Sequence, residues 1–126
     1  MGPRKHYAYL AGILDGEGCI TCAYQTTRKS VKIRVGQKVP SLGEWLVANF
    51  GGNLYQRETD YGPMWYWQCS EKIAKRVLPL AVPYMIVKRQ HARVAIKLMS
   101  ASSTKRRRYY ARQLRELNKP RTRIRR

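Results

Sequence analysis

The chain has 126 residues, enough for one domain with its own core and too few for two. Lysine and arginine total 26 against 7 acids for a formal charge of +19, and residues 1–100 alone hold fifteen bases and six acids, so the folded body is itself basic. Self-repulsion on that scale calls for a polyanion, nucleic acid before an anionic membrane or heparin-like surface; the uncharged stretches are too short to span a bilayer and no secretory signal is visible, so an intracellular protein is expected.

Met1 to Lys5 is a basic leader in which Pro3 suits the first turn of a helix. From Tyr7 to Leu14 no residue is charged, so this first helix can be buried on more than one side. Ala8, Gly12 and Gly16 recur every fourth residue and form a ridge of minimal side chains along which a second backbone could approach. The helix stops at Asp15 and Glu17, separated by Gly16. A helix end carries partial negative charge, so two acids there read either as the end of a surface helix in a polar Gly-rich turn or as a place for a bound cation. Carboxylate and carbonyl oxygens are hard ligands, which suit Mg²⁺ better than zinc or copper.

Cys19 to Thr27 alternates, with Ile20, Cys22 and Tyr24 on one side and Thr21, Ala23, Gln25 and Thr27 on the other, as in a half-buried strand. Arg28-Lys29-Ser30 is a basic turn. A second strand over Val31 to Val39 sends Val31, Ile33 and Val35 to the core and Lys32, Arg34 and Lys38 outward. Gln37 falls in the apolar phase of that strand and should point to where the first helix ends. With Cys69, the CxxC of Cys19 and Cys22 makes an odd count that argues against a disulfide framework, and no second Cys or His pair completes a zinc site.

Pro40-Ser41 opens a second helix whose apolar face is Leu42, Trp45, Leu46 and Phe50, closed by Gly51-Gly52-Asn53. Leu54 to Thr59 and Met64 to Cys69 form a hairpin around Asp60-Tyr61-Gly62-Pro63, with Trp65, Trp67 and Cys69 on one face and Tyr66 and Gln68 on the other. A third helix begins near Ser70, carries Ile73, Val77 and Leu78, and is expected to end before Pro79. Helical spacing resumes over Val87 to Met99. Ser103 to Asn118 is a last helix with Tyr110, Leu114 and Leu117 on one face and Arg106, Arg107, Arg108, Arg112 and Arg115 around the rest. The domain is expected to cover residues 1–118, with 119–126 a basic tail. No repeat or linker appears. The order αββαββα, with additions, is an α+β fold in which a four-stranded antiparallel sheet has one face on helices and the other free.

Leu10 to Gly18 reads LAGILDGEG and resembles the LAGLIDADG motif; Tyr9 before it and Cys19-Ile20 after it also fit. Independently, Val82 to Gln90 resembles the same family's proline–aromatic run before a lysine-rich helix start, with Lys88 at the place of the active-site lysine. The family comprises homing endonucleases and some intron-splicing maturases. The resemblance implies that two such helices pack together and that the second acid, Glu17, binds the catalytic metal beside the Gly16 carbonyl. Since the chain holds one copy of the motif, the second helix would come from a homodimer, meeting through Ala8, Ala11, Gly12, Asp15 and Gly16.

The free sheet face, by the same resemblance, is a saddle over double-stranded DNA. Thr21, Ala23, Gln25, Thr27, Arg28, Lys32, Arg34, Gln56, Glu58, Tyr66 and Gln68 are placed on it, with Lys38 and the tail on phosphates. The implied reaction is Mg²⁺-assisted hydrolysis of one phosphodiester in each strand, with Gln37 positioning water and Lys88 stabilising charge on phosphate. The alternative is a maturase that uses the basic surface on intron RNA, which would not need Glu17, Gln37 and Lys88 together.

Overall fold

The computed structural model describes residues 3–24 and 29–120. Alternation of apolar and polar residues builds four strands, β1 (Gly18–Tyr24), β2 (Lys29–Gln37), β3 (Asn53–Thr59) and β4 (Gly62–Cys69), in one antiparallel sheet of order β1-β2-β4-β3. Around them stand α1 (Pro3–Glu17), α2 (Ser41–Phe50), α3 (Glu71–Ala81), a short 3₁₀ turn (Val82–Tyr84), α4 (Arg89–Ser100) and α5 (Thr104–Asn118). The expected α+β arrangement, αββαββα with additions, is the one observed.

Cross-strand pairing decides which side chains share a face. Ile33 lies opposite Cys69, and Val35 and Leu54 both lie opposite Trp67. Val31, Ile33, Val35, Trp67 and Cys69 are buried, together with Ile20 and Cys22 of β1. That inner face receives Leu10, Ala11 and Leu14 of α1, Ala74, Val77, Leu78 and Ala81 of α3, and Val94, Ala95 and Leu98 of α4. Cys19 is exposed and Cys22 buried, so adjacent turns of the pleat send the two thiols to opposite faces and no single ion could take both. Burial also pushes the Cys69 thiol up to about 12, which keeps it unreactive.

Two expectations are corrected. Helix α3 does not end before Pro79 but carries it in its last turn. The apolar stripe continues to Ala81, which is fully buried, and the carbonyl of Lys75 that proline leaves without a donor belongs to an exposed residue, so packing outweighs one lost bond. Arg107 does not join the outward arginines of α5. Its Nη2 donates to Glu71 Oε1 at 2.8 Å and Oε2 at 3.0 Å, and its Nη1 donates to the Leu98 carbonyl at 3.2 Å. Glu71 Oε1 also accepts from Val31 N at 3.1 Å, so one carboxylate ties α3, α5 and the sheet. At the far end of α5, Asn118 Nδ2 donates to the Ile20 carbonyl at 2.8 Å on the edge strand β1.

Glu71→Ala leaves the Val31 amide and the Arg107 guanidinium without this acceptor in a partly buried place, and should cost about 2 kcal/mol in urea denaturation. Glu116→Ala removes only the exposed pair with Lys119 and should leave the same curve where it was.

Candidate metal centre and nucleic-acid interface

Helix α1 hands over to strand β1 without a loop, Glu17 ending one and Gly18 starting the other. A Cβ on Gly18 would lie 2.6 Å from the Leu14 Cα, so only glycine lets the strand fold back so close beneath the helix. This turn leaves Glu17 exposed at the helix foot. Gln37, the last residue of β2, sits in the inward phase and donates through Nε2 to Glu17 Oε2. Lys88, ahead of α4, donates through Nζ to the carbonyl of Gly18. The three side chains singled out for chemistry therefore gather around the Glu17–Gly18 junction.

Asp15 is what brings Lys88 there. Its Oδ2 accepts from Ile86 N at 2.8 Å and its Oδ1 from Lys88 N at 2.9 Å, clamping the segment before α4 to the end of α1. Partial burial pushes this carboxyl up, but the N–H groups of Lys88, Ile86 and Val87 and the Lys88 ammonium outweigh it and hold the group below its ordinary value. Both oxygens of Asp15 are thus engaged within its own chain. The placement of Ala11 on a dimer face is corrected, since it is fully buried in its own core. The open face of α1 consists of Ala8, Gly12 and Gly16 with Tyr9, Ile13 and Glu17, which together line a trough. Nothing lies within 4 Å of where a Cβ on Gly12 or Gly16 would sit. Tyr9 and Ile13 line this trough without having been singled out for it, and their places one step from Ala8 and Gly12 on the ridge were the signal.

Glu17 and the carbonyl of Gly16 offer only oxygen donors, which fit a hard divalent cation. They are an incomplete set: among the described residues no three His, Cys, Asp or Glu side chains are grouped to hold a metal ion. Further oxygens, from a second helix foot or a phosphate, are needed to complete such a site.

On the outer sheet face, Thr21 lies opposite Lys32, Cys19 opposite Arg34, Arg34 opposite Gln68, and Gly36 opposite Tyr66. Lys32 and Arg34 are exposed, Thr21, Tyr66 and Gln68 half-buried, and Lys38 is exposed just beyond β2. Gln25, Thr27 and Arg28, and the side chain of Ala23, lie outside the described residues, as do residues 121–126 of the basic tail. Gln56 and Glu58 are misplaced by the sequence reading. Gln56 pairs with Trp65 and shares the phase of Leu54, whereas Tyr55 pairs with Tyr66 and Asn53 with Gln68. Asn53, Tyr55 and Arg57 therefore belong to the open face, and Gln56 and Glu58 to the helix side, where both remain exposed. The pairing of Leu54 with buried Trp67 sets that phase.

Three solved structures share this architecture. The homing endonuclease I-CvuI in complex with DNA aligns over 96% of this chain and 87% of its own at 17% identity and a TM-score of 0.74. The archaeal intron-encoded homing endonuclease I-Vdi141I, complexed with DNA, aligns over 97% and 89% at 12% identity and 0.77. The LAGLIDADG homing endonuclease I-GzeII, with its DNA target, aligns over 92% of this chain but 44% of its own at 20% identity and 0.70. The fold is that of the LAGLIDADG homing endonucleases. No family model matches the chain, and no curated protein does. Within this LAGLIDADG fold the motif helix α1 stands with its uncharged face open and its acids at the sheet.

The low-lying Asp15 carboxyl contributes stability above the ordinary carboxylate range, and that contribution is lost as pH falls through its depressed folded value. Asp15→Asn should therefore melt below the parent at pH 7, and the gap should close by pH 2 in a thermal-melt series.

Proposed function

We propose that the chain is a site-specific DNA endonuclease that works as a homodimer and hydrolyses both strands of a long, nearly palindromic target across the minor groove. The observation that carries this reading is the gathering of Gln37 on Glu17 and of Lys88 on Gly18, at the foot of a helix whose small-residue face is open. I-CvuI and I-Vdi141I, which share the fold, were solved with DNA, and I-CvuI also with Ca or Mg present. The chain corresponds to nearly all of an I-CvuI chain and to less than half of I-GzeII, a length with room for two such units.

Pairing two copies along Ala8, Gly12 and Gly16 would bring two Glu17 carboxylates and two Gly16 carbonyls side by side, which supplies the oxygens one chain lacks. A divalent ion, Mg²⁺ by donor chemistry, would be held there by Glu17 and Gly16 and would lower the pKa of bound water and neutralise developing charge. Gln37 orients the Glu17 carboxylate and offers its amide oxygen to water. Lys88, held by Asp15, places an ammonium beside the phosphate to be cut, where charge grows as the bond breaks. Lys32 and Arg34 extend from this centre over the outer face, and Lys38 and the tail meet phosphates, which fix the duplex without reading it. A role with intron RNA would engage the basic surface but leave Glu17, Gln37 and Lys88 without work, so it ranks second.

Glu17→Gln removes the charge that holds the ion while keeping the shape. With metal worth several kcal/mol, cleavage should fall about a thousandfold or more while target binding stays within about threefold. Undiminished nicking by that variant removes the metal role. Gly12→Arg meets open space within one chain, so the monomer should fold, sediment as a monomer and fail to cut; an active monomeric Gly12→Arg would contradict the shared-helix arrangement.

A further inference from the structure

On the outer face, Arg34, Tyr66, Tyr55 and Gln68 form one connected cluster. The Arg34 guanidinium carbon stands 4.9 Å from the centre of the Tyr66 ring, a cation–π contact. The ring can lie there because residue 36, directly across the ladder, is glycine: a Cβ on Gly36 would come within 2.9 Å of Tyr66 Cε1. On the other flank Tyr55 lies against Tyr66, with centroids 5.6 Å apart and planes tilted by 32°. Its hydroxyl donates to Gln68 Oε1 at 3.3 Å.

These contacts settle what the row presents to a ligand. Gln68 gives one lone pair of its Oε1 to Tyr55 and keeps two amide N–H donors. Arg34 carries only N–H donors. The ion pairs among the described residues, Arg107–Glu71 and Lys119–Glu116, leave Arg34 out, so no carboxylate competes for it there. A guanidinium seated over an aromatic ring loses less rotamer freedom when it binds, which favours a planar, bidentate partner over a passing phosphate. The base edge with two adjacent acceptors in the major groove is guanine, through N7 and O6; adenine offers one acceptor beside a donor that would oppose the all-donor Arg34.

We propose that Arg34 is a specificity-determining residue that reads a guanine in each half of the target, and that Tyr66 and Gly36 are positioning residues that hold it in the plane of the base. This rests on the DNA-binding reading above and adds which base is read, where, and by what. Gly36 then does more than permit a strand. It is the seat of the ring on which the reading group is stacked.

The test is selection of bound sequences from a duplex library randomised across both half-sites, without divalent metal so that bound DNA is recovered uncut. The parent should enrich a guanine at one position of each half-site. Arg34→Ala should relax that position about ten- to a hundredfold and leave the others unchanged, the range expected for loss of one bidentate base contact. Tyr66→Phe keeps the ring and should keep the preference. Tyr66→Leu and Gly36→Ala should weaken it at the same position without altering the salt dependence of binding, and the pair keeps the test open if one of them fails to fold. Replacing the guanine by 7-deazaguanine, which lacks the N7 acceptor, should weaken the parent and leave Arg34→Ala unaffected. If Arg34→Ala lowers affinity evenly across all sequences and reduces the salt slope by about one, Arg34 is a phosphate contact and the proposal is wrong. If the parent itself enriches no sequence, DNA reading fails as a whole, and this inference with it.

Discussion

Everything near the candidate site follows from ending a helix directly on a strand. The end of α1 already carries the negative pole of the helix, and Asp15 and Glu17 add two charges to it. The fold compensates them unequally. Asp15 receives two backbone N–H groups from the segment before α4 and lies near the Lys88 ammonium, so its charge is absorbed within the chain. Among the described residues Glu17 receives the neutral amide of Gln37, and it stays exposed. The unspent negative charge therefore sits at one place, and it is the place where an external cation gains most. The acid that looks redundant in the sequence is the one that leaves its neighbour free.

Strand β2 serves two faces at once because its side chains alternate. Val31, Ile33, Val35 and Gln37 point toward the helices, while Lys32, Arg34 and Gly36 face outward. A slip of one residue would send Arg34 into the core and Gln37 away from Glu17. The buried Val31, Ile33 and Val35 hold the register against that slip, since their exposure would cost about 1.5–3 kcal/mol each. Packing in the core thus keeps the outward arginine and the carboxylate-facing glutamine in step, although they lie on opposite faces.

Much of this was legible in the sequence, and the failures share a cause. Where several strong residues alternate, as in β2, or where Trp67 and Cys69 stand two apart in β4, the phase could be read directly. In β3 only Leu54 is a strong apolar residue, and Tyr55, Gln56, Arg57 and Glu58 fit either face; the pairing with Trp67 is a long-range fact that no local pattern contains. Pro79 was read by its local rule as a stop, yet the stripe running on to Ala81 overrides it. Ala11 stands inside the motif beside Gly12, yet helical phase turns it inward with Leu14. The motif, the phase of β2 and the Val82–Gln90 run together named Glu17, Gln37 and Lys88, but did not show that Asp15 is what binds the third of them to the first.

The charge balance bears on how two copies could meet. A chain of formal charge +19 repels its twin, and at physiological ionic strength screening acts over about 8 Å, comparable to the distance between packed helix axes. The open face of α1 is one surface where that repulsion is least, because no base lies between Tyr7 and Leu14 and the contact atoms are those of Ala8, Gly12 and Gly16. Close approach there also brings two Glu17 carboxylates together, which is unfavourable until a cation lies between them. The basic outer faces become compatible only when a polyanion spans both. In the proposed dimer, metal, DNA and partner helix therefore each relieve a repulsion that the others create, and thermodynamic reciprocity requires that each strengthen the binding of the rest. In that proposal the basic surface and the uncharged stretch from Tyr7 to Leu14 act together, keeping two copies apart everywhere except where the target would hold them.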